Sequence, residues 1–317
     1  MSGTSLFLQI AQAVVLVLFA PIAAGVVSTA KARLQNRRGA GVLQPWRNLI
    51  KLFGKQVVLA ENASWIFRFA PYVVFTATIM AASCVPPLLV HTPLSLTADV
   101  IALVALLALA RFFLALAGMD IGTAFGGMGA SREMTFSALA EPAMLMSVFV
   151  LSIGAQSTNL TTMISHTLNT PIVLQPSLAF ALVAMLMVAV AENGRIPVDN
   201  PTTHLELTMI HEAMILEYSG RHLALMEWAA MIKLTLFATL IIDLFLPWGI
   251  SIDASLAGVA MGLVAWLLKL IGFLLGLSLV ETYLAKLRLF EVPEFLSTAF
   301  VIAFLGLLTH YMLEIGT

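Results

Sequence analysis

The residues best suited to chemistry lie in one polar run, from Ala191 to Gly220, which directly follows a long apolar stretch. The run holds five carboxylates and two histidines. A charge at the centre of a bilayer costs roughly 2.5 to 3.5 kcal/mol, so acids concentrated at the mouth of membrane helices indicate a protein that handles charge. Carboxylates and imidazoles take up and release protons, and the run therefore predicts an entrance for protons or other ions. Its acids are Glu192, Asp199, Glu206, Glu212 and Glu217.

Further ionisable residues interrupt the apolar stretches themselves. Arg111, Glu141 and Lys269 lie deep inside such stretches, whereas Lys233 and Asp243 lie within reach of an interface and are expected to snorkel. Acids and cations on neighbouring helices can exchange protons, because burial and opposite charge shift pKa values in opposing directions. The alternative is a set of structural ion pairs, but several such groups in one small protein favour transport or a relay. A proline directly after Glu141 frees a backbone carbonyl and predicts room for water there.

The polar run predicts a helix of its own after the prolines at positions 197 and 201. On that helix Glu206 and Glu217, eleven residues apart, share one face, and His204 and His211, seven apart, share another. A single acid in this region would most simply be a solvated loop residue. Five acids in one run that leads to Glu192 fit an ion entrance better.

Other chemical motifs are incomplete. His211 and Glu212 begin the HExxH pattern of zinc proteases, but Ile215 stands where the second histidine ligand is required. The glycine-rich run GMDIGTAFGGMGASRE lacks the Lys-Ser/Thr of a phosphate loop, and its glycines predict tight turns and close approach to a partner. The single cysteine, Cys84, excludes an intrachain disulfide and a cluster ligated by four thiolates. No metal, nucleotide or nucleic-acid site is expected in this chain.

The elements that position these residues follow from composition. Hydrophobic residues make up 60% of the chain, charged residues 10%, and the mean hydropathy is +0.99, as in a polytopic membrane protein. Eight apolar segments approach the ~20 residues needed to cross ~30 Å of hydrocarbon. The predicted fold is a single all-α membrane domain over 1–317, with spans near 5–29, 69–90, 98–118, 134–156, 176–193, 229–247, 256–280 and 297–314.

The lysines and arginines outside these segments fall only in alternate connections. They occur in the connections at about 30–68, 119–133, 194–228 and 281–296, and are absent from 91–97, 157–175 and 248–255. Because cytoplasmic loops carry the excess of positive charge, the first set is predicted to face the cytoplasm. Both termini are then predicted to face the periplasm or exterior.

The first of these connections predicts an amphipathic helix in PWRNLIKLFGKQVV. Arg47, Lys51 and Lys55 recur every four residues, while the apolar side chains populate the other face. The apolar residues are Trp46, Leu49, Ile50, Phe53 and Val57. Such a helix lies in the membrane interface, and it could also serve as a platform for a cytoplasmic partner.

Several long motifs resemble one family of membrane subunits. The pattern AENGRIPVD followed by a segment ending EYSG resembles the respiratory complex I subunit that docks the peripheral arm and shapes the quinone cavity, as does KARLQNRRGAGVLQPWRNLIKLF. The runs GMDIGTAFGGMGASRE, DNPTTHLELTMIHEAMILEYSG and LAKLRLFEVPEFL are similar to its hydrogenase branch, which comprises formate hydrogenlyase, hydrogenase-4 and membrane-bound group 4 [NiFe] hydrogenases. The resemblance covers essentially the whole chain.

The resemblance implies an anchor and coupling subunit without catalytic residues or a cofactor of its own. It implies [NiFe] hydrogenase large and small subunits and a ferredoxin-like iron–sulfur subunit as soluble partners, with antiporter-like subunits beside it in a prokaryotic inner membrane. The expected ion pathway comprises Arg111, Glu141, Glu192, Asp199, Glu206, Glu212, Glu217 and Lys269. The expected docking residues are Arg37, Arg38, Arg132, Glu133, Arg195 and Tyr218.

Two other functions use similar residues. A subunit of a respiratory NADH dehydrogenase with a quinone tunnel is the alternative within the family. A stand-alone secondary transporter would need the same charges in the membrane, but the chain shows no inverted repeat and no matching pair of broken helices.

Overall fold

Long apolar helices joined by short connections make up the computed structural model, which describes residues 3–90, 99–169, 175–199, 209–251, 255–285, 287–288 and 291–314. The helices in these ranges are α1 (Gly3–Leu34), α2 (Gln44–Phe53), α3 (Trp65–Cys84), α4 (Val100–Asp120), α5 (Ala124–Ala155), α6 (Leu160–Asn169), α7 (Pro176–Glu192), α8 (His211–Ile215), α9 (Gly220–Phe245), α10 (Leu256–Tyr283) and α11 (Val292–Thr309). A π-helical turn, His310–Glu314, extends α11.

The predicted all-α membrane fold is confirmed, and seven of the helices in the described ranges are long and apolar enough to span a membrane. The predicted fifth span is α7, which has 17 residues and so reaches only about 25 Å at 1.5 Å per residue. The orientation of the termini stays a prediction, because helix length and composition do not distinguish the two sides. The spans are Leu8–Leu34, Trp65–Cys84, Val100–Asp120, Ala124–Ala155, Gly220–Phe245, Ala257–Tyr283 and Val292–Leu313.

Five helices close into a ring at the centre of the fold. Around this ring α3 contacts α4, α4 contacts α5, α5 contacts α7, α7 contacts α9, and α9 returns to α3. Alanines fill many of the contacts between these helices and allow them to approach closely; they include Ala77, Ala110, Ala143, Ala189 and Ala229, all buried. Helix α11 packs across α5 and α7, while α1 and α10 flank α9.

Most of the predicted connection at 119–133 is helical, because α5 begins ten residues before its predicted span at 134. Thr123 caps the helix by accepting a hydrogen bond from the backbone N–H of Gly126 at 3.3 Å. A Cβ on Gly126 would lie 2.4 Å from the carbonyl oxygen of Gly118, and one on Gly129 would lie 3.0 Å from that of Ile210. The glycines do permit close approach, but to other segments of the same chain.

The amphipathic helix is present as α2 but ends at Phe53, so Val57 is not part of it. Its polar residue Arg47 is exposed and Leu49 is buried, as the pattern predicts. Trp46 and Phe53 both make edge contacts with Trp228 of α9, with ring centroids 5.5 and 6.2 Å apart. Helix α2 is therefore docked on the helical body as well as amphipathic.

The first part of the helix predicted within the polar run, including His204 and Glu206, lies outside the described residues. Within the described part, α8 covers only His211–Ile215, so the exposed Glu217 lies beyond its end. The chain is held just after this point, because Tyr218 stacks on Phe67 with centroids 3.9 Å apart and its hydroxyl donates to the Phe67 carbonyl at 2.9 Å. The described residues also include α6, a helix that the sequence analysis did not predict.

Candidate functional site

Arg111 of α4 lies inside the helical ring, where it is bonded to carboxylates on α5 and α7. Its Nη2 lies 2.5 Å from both carboxylate oxygens of Glu192 at the end of α7, and its Nη1 lies 2.7 Å from Oε1 of Glu141 on α5. Its Nε lies 3.6 Å from Oε1 of Glu133, eight residues earlier on α5. Arg111 itself is 7% exposed. The planar guanidinium suits such an arrangement, because its donors point to several acceptors at once.

A second cation completes this group. Nζ of Lys233 on α9 lies 3.9 Å from Oε2 of Glu192. The five residues Arg111, Glu133, Glu141, Glu192 and Lys233 are hereafter the Arg111 cluster. With all five ionised, three carboxylates face two cations, and the cluster carries one negative charge in excess. An uncompensated charge is costly in a buried site. Binding of one proton would bring the net charge of the cluster to zero and remove that cost.

Local sequence explains how each side chain reaches the cluster. Glu133 and Glu141 are eight residues apart on α5, about 12 Å along the helix axis, and the long Arg111 side chain lies between them. Glu192 is the last residue of α7, where Asn193 ends the helix and donates from Nδ2 to the Ala189 carbonyl at 2.7 Å. Helix α5 continues through its internal proline, so a break in the helix is not what makes room beside Glu141.

A pocket with charged and apolar walls adjoins the cluster. Its empty volume is about 540 Å³ including its open mouth, and it is lined by Arg111, Glu133, Glu192, Asp199, His211 and Lys233, among others. Asp199 is 2% exposed, and its Oδ2 accepts a hydrogen bond from the Ile210 N–H at 3.2 Å. Asp199, a residue of the predicted ion pathway, therefore lines the pocket that adjoins the cluster.

A larger cleft shares a wall with this pocket. Its empty volume is about 1010 Å³ including its mouth, and it is lined by charged residues that include Lys31, Arg195, Glu212, Glu227 and Glu281. Asp199 and His211 line both the cleft and the pocket. Acidic and basic side chains thus follow one another from the open cleft to the Arg111 cluster.

His211 separates the two spaces as a neutral ring. Its Nε2 is buried and has no hydrogen-bond partner among the described residues. Burial, together with the charge of Lys233, lowers the pKa of His211 to about 3. The sequence analysis placed His211 on one face of the predicted helix and at the start of an incomplete zinc motif. Among the described residues no three His, Cys, Asp or Glu side chains form a group able to hold a metal ion.

The sequence analysis also missed Glu281, which lies on the wall of the cleft. Its side chain is fully buried, 2.6 Å from Nζ of Lys31 and 3.3 Å from Nη1 of Arg195. These contacts join α1, α10 and the segment after α7. No sequence motif marks Glu281, because its partners lie 250 and 86 residues away along the chain.

The structure brings together only part of the predicted ion pathway. Arg111, Glu141 and Glu192 are in direct contact, and Asp199 and Glu212 line the adjoining spaces. Glu217 is exposed, and Glu206 lies outside the described residues. Lys269 lies on α10, beside the carbonyl groups that follow the end of α9, and does not contact the cluster.

The prediction that the side chains of Lys233 and Asp243 extend to a membrane interface is wrong. Lys233 joins the Arg111 cluster, where two carboxylates attract its ammonium inward. Asp243 is 1% exposed and faces Lys269 inside the protein. Neither side chain has to reach the interface, because each has an opposite charge nearby in the helical body.

The predicted docking residues separate into exposed and internal groups. Arg37 and Arg38 are exposed. Glu133 and Tyr218 are internal, because the former pairs with Arg111 and the latter stacks on Phe67. Arg195 is bound to Glu281, and Arg132 donates from Nη1 to the Met209 carbonyl at 3.3 Å. These last four side chains are engaged within the chain.

Comparison with known proteins gives one family and two kinds of relative. The family model described as NADH dehydrogenase matches residues 8–311. Formate hydrogenlyase subunit 4 of Escherichia coli (strain K12) is 35% identical over 302 residues, which are 95% of this chain and 97% of that protein. Hydrogenase-4 component C of the same organism is 37% identical over 290 residues, 90% of each chain.

More distant similarity extends to other respiratory proteins. An NADH-quinone oxidoreductase subunit of Syntrophotalea carbinolica is 28% identical over 222 residues, 67% of this chain and 66% of that protein. A chain in the structure of the membrane-bound sulfane sulfur reductase, an archaeal respiratory membrane complex, has a TM-score of 0.77 and covers 94% of this chain and 98% of its own length. At 19% identity that likeness concerns the fold alone.

Proposed function

The chain belongs to the NADH dehydrogenase family, and from that premise we propose that it is the membrane anchor and coupling subunit of an ion-translocating [NiFe] hydrogenase complex. Both Escherichia coli relatives match over nine-tenths or more of this chain and of their own length. Their names supply the hydrogenase assignment, and their full-length match supports the same role in a complex. The proposed location is the inner membrane of a prokaryote.

The observation that carries the coupling role is the unbalanced charge of the Arg111 cluster. One bound proton neutralises three carboxylates and two cations inside the membrane domain, so the cluster can hold a proton and release it when a nearby charge changes. The shared wall formed by Asp199 and His211 puts the cluster within reach of the open cleft. Moving one charge against a membrane potential of 100 mV requires about 2.3 kcal/mol, which redox chemistry in a bound partner would have to supply.

The proposed partners carry the redox chemistry. The large and small hydrogenase subunits would contain the [NiFe] centre, and a ferredoxin-like subunit would contribute iron–sulfur clusters. Antiporter-like membrane subunits would receive the charge displacement. The proposed docking surface includes Arg37 and Arg38, which are exposed and follow the end of α1. Exposed cations can steer an acidic partner and fix its orientation.

Isolation of the intact complex tests this proposal. The chain is tagged in its native host, extracted in mild detergent, and analysed by mass spectrometry of the co-purifying subunits and by an assay of hydrogen evolution. Hydrogenase subunits with hydrogen evolution support the proposal. A solitary chain would contradict it and favour the stand-alone transporter.

A respiratory NADH dehydrogenase is the second candidate for the complex. The similarity to the NADH-quinone oxidoreductase subunit of Syntrophotalea carbinolica favours it, and so does the roomy cleft, which has apolar walls as well as charged ones. In the same isolation experiment, NADH dehydrogenase partners and quinone reduction would replace the hydrogenase assignment. The role proposed for the Arg111 cluster would be unchanged.

A further inference from the structure

A second buried carboxylate lies outside the Arg111 cluster. Asp243 is three residues from the start of the connection after α9, and only 1% of the residue is exposed. Neither Oδ1 nor Oδ2 has a hydrogen-bond partner among the described residues. An ionised carboxylate in such surroundings is strongly destabilised unless an opposite charge compensates it.

The cation near Asp243 is Lys269 of α10, although no direct ion pair or hydrogen bond joins the two side chains. Nζ of Lys269 donates to the carbonyl oxygen of Leu246, three residues beyond Asp243, at 2.6 Å, and to that of Trp248. These carbonyls follow the end of α9, where unpaired acceptors and the negative end of the helix dipole favour a cation. An ammonium has three N–H donors, and the two carbonyls use two of them.

This arrangement accommodates two protonation states. In one, an ammonium faces a carboxylate. In the other, Lys269 Nζ has lost one proton and an Asp243 oxygen has gained one, which leaves a neutral amine and a neutral carboxylic acid. The amine keeps two N–H groups for the two carbonyls, so the exchange breaks one N–H bond, forms one O–H bond and leaves neither carbonyl without a donor. A purely structural pair would hold its acid in direct contact, whereas neither Asp243 oxygen has a hydrogen-bond partner among the described residues.

We propose that Asp243 and Lys269 form a proton-loading pair in the half of the membrane opposite the cleft. Asp243 is ten residues beyond Lys233 on α9, about 15 Å along the axis. Thr235, Thr239 and Asp243 recur every four residues on one face, both threonines are fully buried, and Thr239 accepts a hydrogen bond from Trp266 Nε1 at 3.2 Å, which leaves its own hydroxyl proton to donate. Polar groups thus line α9 towards the pair.

The pair also bears on which ion is carried. Backbone carbonyls at a helix end, together with a carboxylate, are ligands that bind Na⁺ in membrane transporters. Here the position of the cation is taken by the ammonium of Lys269, which is covalently part of the chain. The site therefore exchanges a proton and not a metal ion. That the pair titrates is independent of the proposed function, whereas its place on an ion route rests on that function.

Infrared difference spectroscopy on the whole complex in nanodiscs tests whether the pair titrates. The C=O stretching band of a protonated carboxylic acid is followed during a pH titration in H₂O and D₂O. We expect one band that titrates, shifts in D₂O, disappears in Asp243→Asn and persists in Glu61→Gln, a change at an exposed acid. In Lys269→Met the band should stay present across the titration, because the carboxylate has lost its cation.

A spectrum in which Asp243→Asn removes no band at any pH would overturn the proposal, since Asp243 would then be permanently ionised. The role in ion movement is tested separately in proteoliposomes, as ions moved per hydrogen evolved. We expect most of this ratio to be lost in Asp243→Asn, because the route then lacks a proton-accepting group, and the ratio to be unchanged in Glu61→Gln. A normal ratio in Asp243→Asn would remove the pair from the route. Absence of ion movement in the unmodified complex would instead contradict the proposed function and leave the infrared result standing.

Discussion

Arg111 and Glu192 are joined through one guanidinium nitrogen that lies 2.5 Å from both carboxylate oxygens. The two residues are 81 positions apart and belong to α4 and α7, which do not follow one another around the helical ring. The bond crosses the interior of the ring. It therefore ties the packing of the helices to the electrostatics of the Arg111 cluster.

Removal of the cation should destabilise the fold. Arg111→Met leaves three carboxylates with only Lys233 to compensate them, and breaking a buried ion pair in this way costs about 3–5 kcal/mol. We expect a clearly lower melting temperature of the detergent-solubilised complex. Arg68→Met, at an exposed cation outside the proposed docking surface, serves as the control, with a change within about 0.5 kcal/mol. Equal melting temperatures for the two variants would show that Arg111 does not hold the ring together.

Neutralisation of one acid should affect function and not assembly. Glu141→Gln keeps the shape of the side chain and one acceptor for Arg111, but it removes the excess negative charge of the cluster, so the cluster no longer needs a proton. We expect the complex to assemble normally and ion movement in proteoliposomes to fall by roughly tenfold or more, as for loss of a proton-transfer group. Glu61→Gln, at an exposed acid outside the predicted pathway, is the matched control. Unchanged pumping in Glu141→Gln would remove this residue from the pathway.

Reversal of the exposed basic pair should release the soluble arm. In the double variant Arg37→Glu and Arg38→Glu, repulsion replaces attraction on the surface predicted to be cytoplasmic. We expect the arm to be lost during purification in moderate salt, as measured by the ratio of soluble to membrane subunits. Arg68→Glu, at another exposed cation, should retain it. Retention of the arm by the double variant would place docking on another surface.

Burial of His211 should make stability depend on pH. Its folded-state pKa of about 3 lies below the ordinary value of 6.5, so between these pH values the unfolded chain binds a proton that the folded chain does not. The free energy of unfolding therefore falls as pH is lowered from 6.5 towards 3, by up to about 1.4 kcal/mol per pH unit. Denaturation at pH 7 and pH 5 measures this slope. His211→Asn should flatten it, whereas the exposed His166→Asn should not; equal slopes in all three proteins would contradict the assignment.

Close packing of α8 on α5 should depend on one glycine. A Cβ on Gly129 would lie 2.9 Å from Cβ of Ala213, while one on Gly127 would meet nothing within 4 Å. We expect Gly129→Ala to lower stability by about 1–3 kcal/mol, as overpacking does, because α8 and its His211 must move. Gly127→Ala should be neutral or stabilising, since alanine favours helix. A thermal melt of both variants checks the difference, and equal melting temperatures would mean that α8 moves at no cost.

Hydropathy alone predicted the all-α membrane fold. Each span must form its backbone hydrogen bonds within its own segment, and it is recognised in the sequence as a run of about 20 apolar residues. The same reasoning failed at the start of α5, where glycines resemble a loop in sequence. In the structure they make contact with Gly118 and with the segment around Ala213. The sequence predicted α2 as an amphipathic helix but not the packing of its Trp46 and Phe53 on Trp228.

The residues of the candidate site likewise include some that the sequence predicted and some that it did not. Arg111, Glu141 and Glu192 could be chosen from the sequence, because a charge inside an apolar stretch is costly and stands out in any chain. The sequence did not reveal the partners or roles of Glu133, Glu281 and Asp243. Each lies near the end of a predicted span, where a charged side chain has a low free-energy cost and is common. The sequence by itself determined which helices cross the membrane and which charges need partners. Only the tertiary structure decided the partners, because an ion pair is made by side chains tens to hundreds of residues apart that helix packing brings within about 3 Å.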